Sequence, residues 1–408
     1  MKCGLLGRKL GHSYSPQIHS MLGNYPYVLF EKEPEKIEDF LRSGDWTGIN
    51  VTVPYKKTVI PYLDELTPTA KRLGAVNVIV RRDGKLIGHN TDFFGFQTML
   101  KASRLDVSGK KALVLGSGGA SNTVIAVLKD AGADVFVISR TGEHNYSNLH
   151  LHKDATLIVN TTPVGMYPNT GVSPVDLSLF PNLQGVLDVV YNPARTQLLL
   201  DAEKISGLTS ANGLLMLVAQ AKEAAEWFTE TEISGAVIEP ILRALESQMQ
   251  NIVLIGMPGC GKSTIGKLLA EATGKKYADS DELITEMAGK AIPDIFTNDG
   301  EATFRNWETK ALTELGKQSG LVIATGGGCV TQSQNYDALH QNGQIFWLQR
   351  DLDLLPVDGR PLSQVNKLEV LYGIRKPMYE VFADHAVAND GELNSTVQKI
   401  LQIREENP

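Results

Sequence analysis

At 408 residues, 42 % hydrophobic and 21 % charged, the chain has an ordinary globular composition and the length of two or three domains. Its formal net charge is −7, and a cut after Gln248 leaves 24 basic and 25 acidic residues on one side and 15 and 21 on the other, so neither half is a basic nucleic-acid binder. Any anionic ligand must therefore be held by a few placed groups, not by the global field. Cys3, Cys260 and Cys329 are too few and too scattered for a disulfide framework or a clustered metal site. No stretch approaches the roughly eighteen apolar residues of a membrane span, and MKCGLLGRKLGHS lacks the apolar run of a secretory signal. A cytoplasmic protein with small-molecule partners, no nucleic acid and no membrane is expected; no oligomeric state follows from the sequence.

In LGHSYSPQIHS, residues 10–20, Ser15 before Pro16 reads as a helix N-cap with proline at the first helical position, a place where anions are welcome. Ser13 joins it from the loop, while His12 and His19 read as packing or loop hydrogen-bonding residues. GINVTVPYKK then carries Asn50, Thr52 and Lys56 in a strand-then-turn setting, and GAVNVIV followed by GHNTDFFGF supplies Asn77 and Asp92. From Lys110, KKALVLGSGGASNTVIAVLKDAGADVFVISRT spells strand, glycine turn, helix and second strand, one βαβ unit. Gly116, Ser117, Gly118, Gly119 and Ala120 form its turn, whose amides and following helix N-terminus suit a pyrophosphate. The third glycine of the dinucleotide fingerprint is replaced by Ser121. At the end of the next strand Ser139-Arg140-Thr141 stands where an NAD site carries an acid, and a guanidinium there suits the 2′-phosphate of NADP.

NTTPVGM (160–166), DVVYNP (188–193) and NGLLMLVAQA (212–221) follow. Ile233, Val237, Ile238, Ile241, Leu242 and Leu245 then recur at helical spacing, and Met249-Gln250-Asn251 is the whole linker to a second strand–glycine loop–helix, NIVLIGMPGCGKSTIGKLLAEATG. So short a linker suggests domains held close, not floating on a tether. Gly256 to Thr264 fits the phosphate loop GxxxxGK[ST]: the amides from Gly259 through Thr264 cradle phosphates, Lys262 neutralises charge, and Ser263 offers its hydroxyl to Mg²⁺.

The stretches of the first half, in this order, resemble shikimate dehydrogenase over residues 1–246. The resemblance implies a substrate-binding α/β lobe of residues 1–100, completed by 212–248, and a Rossmann-like NADP lobe of 101–211, with the active site in the cleft between them. It makes Lys56 and Asp92 the catalytic pair, Lys56 as the proton donor and Asp92 orienting it and binding a substrate hydroxyl, and assigns substrate binding to Ser13, Ser15, Thr52, Lys56, Asn77, Asp92, Tyr191 and Gln220. It lines the cofactor with Gly116 to Ala120, Ser139, Arg140, Thr141 and Thr161, and sets Gly213 and Met216 near the nicotinamide. The family often adds a second arginine after the SRT-like stretch, where this chain has Gly142-Glu143-His144. Relaxed use of NAD, and a quinate/shikimate dehydrogenase, therefore stay open as alternatives.

Asp279-Ser280-Asp281, IFTNDGEATFRNWE, TGGGC, DGRPL and IRKPMYEVFA resemble shikimate kinase over residues 250–405. The resemblance implies a P-loop α/β kinase domain, taken as residues 249–408, with ATP and Mg²⁺. Asp281 becomes the base on the attacking hydroxyl, Ser263 and Asp279 the metal residues, and Arg305 and Arg375 the clamp on the substrate carboxylate. Gly326, Gly327 and Gly328 form the pocket floor, and Arg360 closes over ATP from a lid. Between Leu348 and Arg360 the lid region is shorter than usual and lacks the arginine the family commonly sets before it to meet adenine. The expected protein is a bifunctional α/β enzyme acting on 3-dehydroshikimate and shikimate. A fusion in which one half senses its ligand without turnover is the rival.

Overall fold

Apolar runs bounded by glycine turns become the strands of three sheets, because strands covered on both faces need continuous apolar sequence. The structure is a computed structural model and describes residues 1–11, 13–355 and 368–406. Packing divides the chain into two units: Met1–Val164, Ser173–Tyr191 and Asp201–Arg243 form the first, and Gly165–Val172, Asn192–Leu200 and Ala244–Pro408 the second.

The first unit holds two sheets. One has the strand order Tyr27–Glu31, Cys3–Gly7, Gly48–Val51, Val78–Arg82, Lys85–His89, Glu65–Leu66 and is mixed, with Val78–Arg82 antiparallel to both neighbours. Its core gathers Leu6, Ile49, Val51, Tyr55 and Ile79. The other runs Thr209–Ala211, Gly185–Asp188, Leu157–Asn160, Lys111–Leu115, Asp134–Ile138, parallel throughout. The helix Gly119–Asp130 buries Val124, Val127 and Leu128 in its core. The helix Leu214–Thr229 returns from this second sheet, packs on the helix Asp92–Ala102 and touches strands of the first sheet. That packing is close. A Cβ on Gly95 would lie 2.6 Å from the carbonyl oxygen of Met216, so only glycine admits the approach.

In the second unit the strand order is Lys276–Asp279, Leu321–Ala324, Asn251–Ile255, Gly343–Gln349, His385–Ala388, again parallel throughout. Ile252, Val253, Leu254 and Ile255 are fully buried at its centre. The helix expected from residue 233 begins at Ile238, after a single 3₁₀ turn at Gly235–Val237, and ends at Met249. Ile241, Leu245 and Met249 are buried at i, i+4 and i+8. Met249 closes the helix and Asn251 opens the strand, so Gln250 alone connects them. No helix among the described residues is long and apolar enough to cross a membrane.

The close approach at Gly95 is testable. Gly95→Val should lower the stability of the first unit by about 1–3 kcal/mol, the usual cost of overpacking, read as a lower urea midpoint; an unchanged midpoint would mean the two helices separate freely.

Candidate active sites

The first unit contains a cleft of about 290 Å³. Lys56 reaches it from the turn after the strand Gly48–Val51, and Asp92 from the first residue of the helix Asp92–Ala102. Their side chains meet at 2.6 Å, Lys56 Nζ donating to Asp92 Oδ2, with 26 % and 13 % of each exposed. The pair is thus shielded from bulk water yet open to a ligand. Asn77 Nδ2 donates to the other Asp92 oxygen and to Thr91 Oγ1, each at 3.0 Å, while Asn77 Oδ1 accepts the Thr91 N–H at 2.7 Å. Asn77, almost fully buried, therefore locks the Asp92 carboxylate in place. Gln220 joins through Oε1, which accepts from Thr91 Oγ1 at 3.3 Å.

Ser13, Ser15, Thr52, Tyr191, Gly213, Met216 and Ala120 line the same cleft, so the residues expected at substrate and nicotinamide converge. Burial, with Tyr14 edge-on at 6.3 Å between ring centroids, raises the Tyr191 phenol above its ordinary range. One expectation needs correction. The N-cap is Tyr14, without a side-chain cap, and Ser15 is the first helical residue with Pro16 second. The reason is that the Tyr14 carbonyl already accepts the Ile18 N–H at 2.9 Å, starting the helical ladder one residue early. Ser13 Oγ accepts the Ser15 N–H at 3.2 Å, so the two serines are held together by the turn. His19 does not line the cleft: it is fully buried, stacked on Tyr27 at 4.1 Å and bonded through Nδ1 to the Tyr25 hydroxyl at 2.7 Å. Tyr27 in turn donates to Asn50 Oδ1 at 2.7 Å, and Asn50 lines the cleft.

The glycine turn opens beside the cleft. Gly116 has φ +106°, and a Cβ there would press on Thr161 Oγ1 at 2.9 Å. Thr161 Oγ1 donates to the Leu115 carbonyl at 2.6 Å, and Ser121 Oγ donates to the Gly116 carbonyl at 2.8 Å. The serine at the third fingerprint position thus pins the turn it interrupts. Ser117, Gly118 and Gly119 are exposed, and nothing lies within 4 Å of a Cβ built on Gly118 or Gly119. Backbone amides at a helix start with open space before them fit a dinucleotide pyrophosphate. Arg140 is exposed just beyond the strand Asp134–Ile138, between Ser139 and Thr141, where the Ser139 N–H donates to the His144 carbonyl and closes the loop.

The second unit holds a cavity of about 600 Å³ lined by Gly259, Gly261, Lys262, Ser263, Thr264, Asp279, Asp281, Arg305, Gly326, Gly327, Gly328 and Arg375. Gly256, Gly259 and Gly261 have φ of +142°, +85° and +98°, the bends of a phosphate loop. Lys262 Nζ donates to the Gly256 and Met257 carbonyls at 2.8 and 3.0 Å. The Cys260 side chain is fully buried and does not line the cavity. Ser263 Oγ donates to Asp279 Oδ2 at 3.1 Å, an oxygen that also accepts from Tyr277. A hydroxyl and a carboxylate so close form the hard-oxygen pair that suits Mg²⁺. Burial, with help from Asp279, raises the Asp281 carboxyl above the usual carboxylate range against the pull of Lys262 and Arg305. Arg375 Nη1 donates to the Gly327 carbonyl at 3.1 Å, and a Cβ on Gly328 would collide with the Arg305 guanidinium. Arg360 and His12 lie outside the described residues.

Two charged cavity residues escaped the sequence reading. Glu308 is fully buried, and its Oε2 accepts from Arg305 Nη1 at 2.8 Å, with Glu301 taking Nη2 at 2.9 Å. Its second oxygen has no partner and would lie 2.8 Å from a Cβ on Gly326. Burial raises its carboxyl despite Arg305. The signal is readable in the spacing: Glu301, Arg305 and Glu308 stand at i, i+4 and i+7 on one helix face. The other residue is Arg350, directly after the strand Gly343–Gln349.

By fold and site the first unit is an α/β oxidoreductase with a dinucleotide lobe, and the second carries a P-loop phosphotransferase fold. Residues 5–79 match the shikimate dehydrogenase substrate binding domain and residues 258–404 match shikimate kinase. The shikimate dehydrogenase (NADP(+)) of Clostridium perfringens (strain SM101 / Type A) is 36 % identical over 265 residues, which cover 60 % of this chain and 97 % of that protein. Among solved structures, shikimate dehydrogenase 1 from Peptoclostridium difficile matches with a TM-score of 0.55 at 39 % identity, covering 60 % of this chain and 98 % of that one. Shikimate 5-dehydrogenase from Thermus thermophilus, solved with NADP(H) and shikimate, matches at 0.54 and 31 % identity over 60 % of this chain and 99 % of its own. The chain belongs to the shikimate dehydrogenase family and carries a shikimate kinase domain in its C-terminal part.

The buried His19 yields a pH prediction. Burial lowers its pKa from 6.5 to about 3, so the unfolded chain takes up the proton first as pH falls. Its contribution to stability is complete above pH 6.5 and is lost between 6.5 and about 3, at up to about 1.4 kcal/mol per pH unit. Unfolding titrations at pH 7 and 5.5 should show a steeper loss for the wild type than for His19→Gln; equal slopes would contradict it.

Proposed function

We propose that the chain reduces 3-dehydroshikimate to shikimate with NADPH and phosphorylates the 3-hydroxyl of shikimate with ATP. For the first reaction the supporting observation is the Lys56–Asp92 pair at 2.6 Å in a cleft shared by Ser13, Ser15, Asn77, Tyr191, Gln220 and Met216. When bound along Gly116 to Ala120, Ser139, Arg140, Thr141 and Thr161, NADPH supplies the hydride. Lys56 gives a proton to the oxygen that becomes negative as the carbonyl is reduced, and its partial exposure lets solvent reprotonate it. Asp92, fixed by Asn77, keeps Lys56 aimed and accepts from a substrate hydroxyl. Ser13 and Ser15 hold the carboxylate with neutral donors, and Gly213 and Met216 leave room for the nicotinamide.

For the second reaction Asp281 takes the proton of the attacking hydroxyl, whose oxygen bonds to the γ-phosphorus as ADP leaves. A carboxylate held above its usual range by burial is a better base than a solvated one. Arg305 and Arg375 hold the substrate carboxylate over Gly327 and Gly328, and Lys262 offsets charge on the phosphates. Ser263 and Asp279 would hold Mg²⁺, which screens the phosphate oxygens. Arg140 favours NADP over NAD because a guanidinium matches a 2′-phosphate and has nothing equivalent to grip on a ribose hydroxyl.

Two measurements test this reading. Lys56→Ala should lower dehydrogenase kcat by about 10²–10⁴-fold, the usual worth of a general acid, and leave shikimate-dependent ADP release unchanged; equal loss of both activities would show that Lys56 is structural. Arg140→Leu should raise KM for NADP⁺ by about tenfold, one charge-assisted contact, with KM for NAD⁺ nearly unmoved. A parallel rise for both cofactors would remove Arg140 from the 2′-phosphate.

A further inference from the structure

The cavity of the second unit contains a cation that the phosphotransfer reading leaves unassigned. Arg350 directly follows Gly343–Gln349, which pairs in parallel with Asn251–Ile255, the strand that feeds the phosphate loop. Both strands therefore end at the same edge of the sheet, and Arg350 lines the cavity together with Gly259, Gly261 and Lys262. Its backbone is braced against that loop. The Gln349 carbonyl accepts the Asn389 N–H at 2.7 Å, and Asn389 Nδ2 donates to the Cys260 carbonyl, also at 2.7 Å. Asn389 is itself fixed by Thr396, which donates to Asn389 Oδ1 at 2.9 Å. At the guanidinium the situation reverses. Arg350 Nε is buried without a hydrogen-bond partner, and no carboxylate pairs with the side chain among the described residues. A permanent cation in a cleft, on a braced backbone and with donors unspent, calls for an anionic ligand.

We propose that Arg350 binds the nucleotide held by the phosphate loop, its guanidinium donating to the phosphate chain of a nucleoside triphosphate. The contact rests on the kinase reading. It gives the nucleotide a second cation, from the strand beside the loop, in addition to Lys262. A guanidinium presents two parallel N–H donors in a fixed plane to a pair of phosphate oxygens, a preorganised fork that an ammonium lacks, so lysine at this position replaces the charge without the fork.

The experiment uses the full chain with Arg350→Gln and Arg350→Lys. Dehydrogenase turnover in the same preparations reports folding. ATP and shikimate KM are read from ADP release, and ADP and adenosine binding by calorimetry. Arg350→Gln should raise ATP KM and ADP Kd tenfold or more while shikimate KM changes less than twofold, Arg350→Lys should fall between, and adenosine should bind wild type and variants alike. Unchanged ADP Kd, or equal loss for ADP and adenosine, overturns the proposal. If the wild type releases no ADP with shikimate, the kinase reading fails instead, and ADP binding still decides the role of Arg350.

Discussion

A strand covered on both faces has no room for an unpaired polar side chain, and that constraint places the chemistry of this chain. In the two fully parallel sheets the central strands are continuous apolar runs, such as Ala112 to Leu115 and Ile252 to Ile255, all buried. The candidate site residues therefore gather past the carboxyl ends. Gly116 follows Leu115, Ser139 follows Ile138 and Thr161 follows Asn160; in the second unit Gly256 follows Ile255, Asp281 lies two past Asp279, and Arg350 follows Gln349. The few polar groups inside the strands serve those edges. Asn160 and Asp188 are fully buried, bond each other at 3.0 Å, and accept from the backbone N–H groups of Thr162 and Val190, where the chain leaves the sheet. The same rule reaches the mixed sheet, where the chain leaves buried Val51 for Thr52 and then Lys56.

The two sites meet charge in opposite ways. In the first cleft the only close ion pair among the described lining residues is internal, Lys56 with Asp92, and the remaining polar lining is hydroxyl and amide. Such a lining recognises shape and hydrogen-bond direction. The second cavity crowds Lys262, Arg305, Arg350 and Arg375 against Asp279, Asp281 and Glu308, so any ligand there meets both signs of charge at close range. Burial works on both sets, raising the Tyr191 phenol in one and the Asp281 and Glu308 carboxyls in the other.

Much of this was legible because glycine turns and phosphate loops are local: the residues that bend the chain are also those proposed to bind, so their spacing carries both meanings. Lys56, Asn77 and Asp92 are different. They lie up to 36 positions apart, and only the sequential arrangement of several motifs placed them together. What escaped the sequence has physical causes. The helix after Tyr14 starts one residue early because a backbone carbonyl, invisible in residue types, takes the first N–H. Glu308 looks like a solvated helix residue until the fold buries it under Gly326. Arg350 sits in a polar run after a strand, and its meaning depends on which strand lies beside it.

The contact of Gly95 with the Met216 carbonyl has a mechanical consequence. Asp92 begins the helix that carries Gly95, and Gln220 stands one turn past Met216 on the other helix, so the two walls that present them are clamped at a point. Because no side chain stands between them, the helix that starts at Asp92 and the helix that carries Gln220 pack backbone to side chain at this point, and any larger residue at 95 would displace the wall bearing Asp92 from the wall bearing Gln220.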